Sequence, residues 1–353
     1  MGKLNSFCLI LTCMCFLQAI VGQGHEAPAL YAFGDSLLDS GNNNYLPTWA
    51  KANYYPYGSS SFPFPTGRFS NGKNVADFVA EFLGLPLPPP AMSRESEGTV
   101  TGLNYASGSC GILPATGLLL GKCLNLDDQI YKFQCLVEGE LTHHFGSKRN
   151  LLNYLSKSIV IFNIGSNDIG SYPLFLQSRY STPQQFAQIL LDALSKALKI
   201  LYGLGVRKVV VFEIGPLGCT PGVARTIPHL GPCSEITNQL ISIYNTQLDA
   251  MLKDLTSTLH GSNFVIARYF SLGLDIINNP SKYGLTDTRN PCCTALFGTS
   301  SCIPMVPGCK DAAERFFWDG VHQTEAVYKI ESDQCIHNSS FCSPLSIEEL
   351  VRL

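Results

Sequence analysis

Two short segments, far apart in the chain, combine residue types that serve in nucleophilic catalysis. Residues 34–37 read Gly-Asp-Ser-Leu and follow a short apolar run, while residues 318–322 read Trp-Asp-Gly-Val-His. A carboxylate three residues before an imidazole can reach the Nδ1 atom of the ring, fix its tautomer and stabilise the imidazolium that forms on proton transfer. The sequence therefore offers Ser36 as a nucleophile, His322 as its base and Asp319 as the partner of the base.

Each of these segments also has a simpler interpretation when it is taken alone. A serine after a strand most often caps a helix, and an aspartate near a histidine often forms a surface ion pair. His322 is the one histidine among seven with an aspartate three positions earlier. No further metal-ligand residues cluster around it in the sequence, which argues against a metal site.

Two further segments supply groups that can stabilise negative charge on a reacting oxygen. Gly165-Ser166-Asn167-Asp168 ends an apolar run, so the Asn167 amide is expected at the end of a strand. A glycine-containing loop at 104–111 offers the backbone N–H of Gly108. Acyl transfer needs such donors for its oxyanion, although ordinary turns have the same composition. We also expect Ser36 to open a helix, whose positive end favours developing negative charge.

Alternating strand and helix patterns predict a doubly wound α/β sheet. Apolar runs at 29–33, 159–164, 208–212 and 264–267 are typical of parallel strands that are covered on both faces. Helical patterns occupy 75–83, 184–202, with Gly203 as the expected C-cap, and 234–259. No linker divides the chain, which predicts one domain over residues 25–353. Sites in such sheets form beyond the carboxyl ends of the strands.

The first 24 residues have the composition of a cleavable signal peptide. One basic residue, Lys3, precedes an apolar run of about a dozen residues, and cleavage is expected after Gly22 or Gly24. The alternative is a membrane anchor, for which this run is short. The remaining chain has no candidate span, so we expect a secreted, soluble protein. Its net charge is 23 − 27 = −4, because the signal removes one lysine, which gives no reason to expect nucleic acid as a partner.

Secretion makes disulfides the expected state of the eleven cysteines that follow the signal peptide. The short closures would be Cys123 with Cys135, Cys219 with Cys233, and Cys335 with Cys342. Two more bridges are expected among four cysteines in an open pattern: Cys292, Cys293, Cys302 and Cys309. Cys110 is then left as a free, buried thiol. The sequon at Asn338 predicts a glycosylated surface loop.

Together these segments resemble the GDSL esterase/lipase group of the SGNH hydrolase superfamily, and its plant branch in particular. The resemblance rests on 34–37 and also on the blocks at 65–72, 215–219, 291–293 and 317–319. It implies a single-domain, three-layer α/β/α sandwich with a mostly parallel central sheet. It also implies the roles of Ser36 as nucleophile, Asp319 and His322 as the rest of the triad, and the Ser36 amide, the Gly108 amide and the Asn167 side chain as oxyanion donors. No cofactor is implied.

Several residues near these blocks have less defined expectations. Gln323 follows the base where many relatives have proline, and Ser109-Cys110 replaces a smaller pair after Gly108. Asp35 and Asp168 are expected to orient loops, and Arg68 to form a structural ion pair. An aromatic loop is expected either to pack in the ordinary way or to line an acyl-binding groove; it contains Tyr54, Tyr55, Tyr57, Phe62 and Phe64.

The sequence therefore predicts a secreted serine esterase or lipase that acts on a small-molecule or lipid ester, with acyl lipids favoured. Hydrolysis would proceed through an acyl-enzyme on Ser36. A secreted acyltransferase would use the same residues and pass the acyl group to an alcohol other than water. A non-catalytic wall or lipid-binding protein is the third interpretation, although binding alone gives no reason to retain all the catalytic groups.

Overall fold

The computed structural model describes residues 27–172, 182–226, 230–295 and 301–353. The predicted signal peptide lies outside this range and is not treated further as structure. Within the described ranges, none of the helices combines the length and the apolar character needed to cross a membrane.

A central sheet brings the predicted strands together in parallel. Its spatial order is β1, β2, β3, β4 and β7, and only β7 runs antiparallel. The four predicted strands are confirmed to within one residue at each end, whereas the two-residue β7 was not predicted. The strands are β1 (Leu30–Gly34), β2 (Ile159–Asn163), β3 (Lys208–Phe212), β4 (Asn263–Ala267), β5 (Asp287–Pro291), β6 (Arg315–Phe317) and β7 (Cys342–Ser343), with β5 and β6 forming a separate small sheet.

Side chains alternate between two apolar cores on the two faces of the sheet. Tyr31 and Phe33 of β1 belong to one core, and Leu30 and Ala32 to the other. Helices cover both faces, so the fold is the expected three-layer α/β/α sandwich. The helices are α1 (Val75–Phe82), α2 (Leu126–Leu136), α3 (Thr142–Phe145), α4 (Lys148–Lys157), α5 (Ser166–Gly170), α6 (Pro183–Leu204), α7 (Pro221–Ala224), α8 (Glu235–Thr258), α9 (Tyr269–Asn278), α10 (Glu325–His337) and α11 (Ile347–Val351).

The three predicted helices are confirmed, with one difference at a helix end. The helix predicted over 184–202 continues to Leu204, and Gly205 is its C-cap with φ of 118°. Gly203 was expected in that role, but it lies inside the last turn. The helix ends at Gly205 because Gly205 N and Val206 N donate to Tyr202 O and Leu201 O and close its last turn.

An extended segment at 101–107 runs beside the outer edge of β1. Backbone hydrogen bonds join Leu30 N to Thr101 O and Tyr105 N to Ala32 O. The chain therefore passes from β1 to one side of that strand, and later returns as β2 on the other side. This reversal makes the carboxyl end of β1 a topological switch point, the place where open α/β sheets form their sites.

One predicted disulfide is wrong, because Cys123 pairs with Cys110 and leaves Cys135 as an exposed free thiol. Cys123 precedes α2, whereas Cys135 lies in its last turn. The nine residues from the helix start to Cys135 rise about 13 Å, beyond the roughly 7 Å that a disulfide can bridge. The other predicted pairs are confirmed, and the open pattern resolves as Cys292–Cys309 and Cys293–Cys302.

This pairing predicts which cysteine reacts in the unreduced protein. We expect iodoacetamide, added in denaturant without reductant, to label Cys135 alone among the cysteines from 110 onward, because the other ten are in disulfides. Peptide mass spectrometry would locate the label and the linked peptides. A peptide linking Cys123 to Cys135, or a labelled Cys110, would contradict the pairing.

Candidate active site

The nucleophile segment leaves the sheet through a tight passage at the end of β1. A Cβ on Gly34 would lie 2.3 Å from the carbonyl oxygen of Asn163 at the end of β2, so only glycine fits there. The buried side-chain amide of Gln129 fixes the backbone of Gly34. Its Oε1 accepts from Gly34 N and its Nε2 donates to Gly34 O. Ser36 is thereby fixed just beyond the strand end.

The expectation that Ser36 opens a helix is wrong. Leu38 N and Asp39 N both donate to Asp35 O, which closes a single turn. The chain then leaves the helical path, because the Asp39 carboxylate accepts from Gly41 N and Asn42 N, each at 2.7 Å. Ser36 therefore has beside it only the backbone N–H groups of one turn, and not the N-terminus of a helix.

The segment after β6 folds a carboxylate back onto the imidazole. Asp319 Oδ1 accepts from the backbone N–H of Val321 and of His322, at 2.9 and 2.8 Å. Trp318 N donates to His322 O and closes the turn. Within this turn, Asp319 Oδ2 lies 2.7 Å from His322 Nδ1. The spacing of three residues therefore brings the two side chains together as predicted from the sequence.

The two distant segments meet in one chain of hydrogen bonds. His322 Nε2 lies 2.7 Å from Ser36 Oγ. At the other end, the hydroxyl of Tyr57 donates to Asp319 Oδ2 at 2.7 Å and accepts from Cys302 N at 3.1 Å. The ring of Phe69 lies 5.0 Å from that of His322 and limits its movement. The Ser36 hydroxyl, the His322 imidazole and the Asp319 carboxylate therefore stand in the order that general-base activation of a serine requires.

Burial alone would raise the pKa of Asp319, but its partners outweigh burial. The adjacent His322, the Val321 amide and the Tyr57 hydroxyl all favour the carboxylate and hold the pKa below its ordinary value. Asp319 is therefore a permanent anion at neutral pH. Such an anion stabilises positive charge on the neighbouring imidazole.

The three candidate oxyanion donors differ in whether their hydrogens are already used in hydrogen bonds within the protein. In the part of the chain that the structure describes, Ser36 N–H has no acceptor. Asn167 Nδ2 donates to Cys110 O at 2.8 Å, which uses one of its two hydrogens. Gly108 N–H donates to Asp39 Oδ2 at 3.0 Å. Gly108 is therefore already engaged, and it reaches a substrate oxygen only by sharing that hydrogen.

Two acidic neighbours of these residues organise loops, as their positions suggested. The buried Asp168 carboxylate accepts from Ile112 N, Leu113 N and Thr116 Oγ1 and fixes the loop that follows Cys110. Asp35 Oδ1 accepts from Leu37 N, while its Oδ2 is buried without a partner in the described structure.

The predicted ion pair of Arg68 is confirmed and lies in the interior. Both ends of its guanidinium bind the Asp77 carboxylate, at 2.7 and 2.6 Å. Asp77 also takes part in the capping box of α1. Arg68 therefore ties the loop at 65–72 to a helix end.

A small apolar cavity of about 40 Å³ is lined by residues that neighbour Ser36, Asn167 and His322 in the chain. Leu37, Val321 and Ser166 line it, and each of them directly neighbours one of the triad or oxyanion residues in the chain. The remaining lining residues are Gly215, Pro216, Leu217, Thr220, Tyr269, Phe316, Phe317 and Gln323. Among the residues described, no group of three or more His, Cys, Asp or Glu side chains is arranged to hold a metal ion.

The sequence did not predict the residues that hold the site in place through hydrogen bonds. Tyr57 was seen as one member of an aromatic loop, not as a partner of the carboxylate. Of the other loop members, Tyr54 binds Cys302 O and Phe64 is exposed, and none of the five lines the cavity. Gln129 and Asp39 gave no signal, because their partners are backbone atoms brought near by the fold.

A serine hydroxyl hydrogen-bonded to an imidazole, which is in turn hydrogen-bonded to a buried carboxylate at the switch point of an α/β sheet, is the arrangement typical of the class of serine hydrolases. The profile of the GDSL-like Lipase/Acylhydrolase family matches residues 30–334, and the chain belongs to that family. It is 40% identical to GDSL esterase/lipase 7 of Arabidopsis thaliana, over 98% of both chains. Two further GDSL esterase/lipases of that plant are 39% and 37% identical over more than nine-tenths of this chain. The protein is thus a carboxylic ester hydrolase of the GDSL type.

The unpaired oxygen of Asp35 predicts a pH-dependent loss of stability. Burial raises the pKa of Asp35 from 3.8 to about 7. Between these values the unfolded chain ionises while the folded protein keeps its proton, so the free energy of unfolding falls as pH rises from about 4 to 7. Asp35→Asn keeps the Leu37 N–H acceptor and removes this ionisation. We expect the variant to gain up to about 4 kcal/mol over wild type across that window.

Urea unfolding at pH 4.5 and 7.5 measures this gain. Asp127→Asn, at an exposed helix position, is the matched control and should follow wild type at both pH values. An Asp35→Asn difference that is equal at the two pH values would contradict the expected ionisation.

Proposed function

We propose that the protein is a secreted serine esterase or lipase that hydrolyses carboxylic esters, acyl lipids among them, through an acyl-enzyme on Ser36. The hydrogen bond of 2.7 Å between Ser36 Oγ and His322 Nε2 carries the proposal. A serine hydroxyl is a weak nucleophile by itself and needs a base at this distance. Asp319, held as a carboxylate, stabilises the imidazolium that results.

In the first step, Ser36 Oγ forms a bond to the ester carbonyl carbon while its proton moves to His322 Nε2. The carbonyl oxygen becomes the oxyanion of a tetrahedral intermediate. The carbonyl bond of this intermediate then re-forms as its C–O bond to the alcohol breaks, and the leaving oxygen receives from His322 the proton that came from Ser36. Water attacks the acyl-enzyme in the same way, with His322 as base, and releases the acid and free Ser36.

The oxyanion is stabilised by donors that stand beside Ser36. We assign the Ser36 N–H, the second hydrogen of Asn167 Nδ2 and the Gly108 N–H to this role. The first two carry most of the stabilisation, because Gly108 also serves Asp39 at 3.0 Å. Donors fixed in a dry site act more strongly than water does at the same distance.

The small apolar cavity is the place we assign to the start of the acyl chain. Its walls include Leu37 and Val321, the neighbours of nucleophile and base. A volume of about 40 Å³ accepts roughly two or three carbons. A longer chain has to continue beyond this cavity.

Secretion is supported by the cysteine chemistry and by the N-terminal sequence. Five disulfides suit an oxidising compartment, and residues 1–24 have the composition of a signal peptide. We also propose glycosylation at Asn338, which lies half-buried at the C-cap of α10. Its Nδ2 donates to Gln334 Oε1, so a glycan there replaces that hydrogen bond.

Replacing either reacting group should abolish ester hydrolysis. We expect Ser36→Ala and His322→Ala to lower kcat by about 10⁴-fold or more, because each removes nucleophilic attack altogether. The measurement is release of p-nitrophenol from esters ranging from acetyl to palmitoyl. The exposed Ser59→Ala is the matched control and should keep full activity. Hydrolysis by Ser36→Ala at the wild-type rate would refute the proposal, and product formed only with an alcohol acceptor would reassign it to acyl transfer.

Loss of one oxyanion donor should lower kcat with little effect on KM. We expect Asn167→Ala to reduce kcat by about 10²–10³, because its amide binds the oxyanion more strongly than the ground-state carbonyl. The exposed Asn153→Ala serves as control. An unchanged kcat in Asn167→Ala would remove this side chain from the oxyanion site.

A further inference from the structure

Five large apolar side chains stand in solvent on two adjoining loops. We call this group the apolar tip; its members are Tyr45, Trp49, Leu118, Leu119 and Leu120. Trp49 and Leu119 expose 88% and 89% of their surface. Single exposed apolar residues are common, but a contiguous group of this size marks a surface that binds something.

Hydrogen bonds hold the two loops of the apolar tip against each other. Trp49 N donates to Leu120 O at 2.7 Å, and Lys122 N donates to Pro47 O at 3.0 Å. Thr48 Oγ1 also donates to Leu120 O. The disulfide from Cys110 to Cys123 closes the loop that carries the leucines. The exposure is therefore a fixed property of the fold.

The shape and composition of the apolar tip fit a lipid surface. Side chains with almost nine-tenths of their surface exposed project outward, so a rigid protein partner or a second copy would need a matching cleft. A lipid layer deforms around such a projection. Tryptophan and tyrosine favour the boundary between head groups and acyl chains, and leucine partitions into the acyl region.

The charges along these loops also favour a lipid layer as the partner of the apolar tip. Residues 40–76 and 98–126, which contain the apolar tip, include no Asp or Glu, whereas Lys51, Lys73 and Lys122 are basic. Entry into a lipid layer therefore dehydrates no carboxylate from these segments, and that dehydration is the costly part of inserting a loop.

The apolar tip is joined directly to the loop at 107–111, whose Ser107 N donates to Gly34 O, two residues before Ser36. A Cβ on Gly117, the residue before Leu118, would lie 2.3 Å from the carbonyl oxygen of Ser109. On the other loop, Asn43 donates to Gly108 O at 2.9 Å, two residues before Tyr45. A surface that binds the apolar tip would therefore lie near the active site.

We propose that the apolar tip is a lipid-docking surface, which inserts at the boundary between head groups and acyl chains of a lipid layer. It uses no catalytic residue, so it goes beyond the proposed function and stands or falls separately from it. Docking holds the enzyme at a layer in which ester substrates are concentrated.

The tryptophans of the chain provide a direct test with phosphatidylcholine vesicles. The sequence contains two, and Trp318 is buried, so a change in emission on adding vesicles reports on Trp49. We expect a blue shift and co-sedimentation of the mature protein with vesicles. The double variant Leu118→Ser/Leu119→Ser should weaken partitioning by at least about tenfold, because two leucines no longer leave water.

Matched controls separate docking from folding and from catalysis. Ile236→Ser changes an equally exposed aliphatic residue at the start of α8 and should bind vesicles like wild type. The double variant should hydrolyse dissolved p-nitrophenyl acetate at the wild-type rate. Vesicle binding equal to wild type in the double variant, no binding by wild type, or a wild-type dimer that the double variant dissociates would each overturn the proposal.

Discussion

Most backbone polar groups in the turn after β1 must find a partner in the protein interior, because Asp35 and residues 38–43 are buried. The Asp39 carboxylate meets much of this demand by accepting from the amides of Gly41 and Asn42 in the turn and of Gly108 in the neighbouring segment. Asn42 donates to two carbonyls of the neighbouring segment, and Gln129 binds both backbone groups of Gly34. An unpaired buried amide or carbonyl costs about as much as a lost hydrogen bond, so this network fixes the path of the nucleophile segment.

Two buried aspartates of the site, Asp319 and Asp35, have pKa values that are shifted in opposite directions. Asp319 receives hydrogen bonds from an imidazole, two amides and a tyrosine, and these outweigh the cost of burying its charge. Asp35 receives one amide and has an oxygen without a partner, so burial dominates and the pKa rises. The adjacent His322 imidazole, together with the amide and tyrosine donors around Asp319, sets the two carboxylates apart, since both are fully buried. The charged one is the partner of the base.

Two disulfide-linked segments, 292–295 and 301–309, support the segment that carries His322. Cys292 N and Cys293 N donate to the carbonyls of Phe317 and Trp318, immediately before Asp319. Cys302, bridged to Cys293, donates its N–H to Tyr57. One covalently closed unit thus holds both the segment that carries the base and the tyrosine that binds its carboxylate. Precise placement of such groups depends on supporting contacts of this kind.

The sequence by itself determined the four central strands, the main helices and the pairing of Asp319 with His322, because each depends on local information. Apolar runs and helical periods identify elements from neighbouring residues alone, and Asp319 reaches His322 within one turn. Only the tertiary structure decided that Cys110 pairs with Cys123, that Tyr57 serves Asp319 and that Gly108 is shared with Asp39. It also decided that β7 joins the sheet and that Ser36 begins a turn instead of a helix. These features join residues far apart in the chain, or depend on partners that such residues supply, and no local pattern encodes which distant groups the packed core brings within hydrogen-bonding distance.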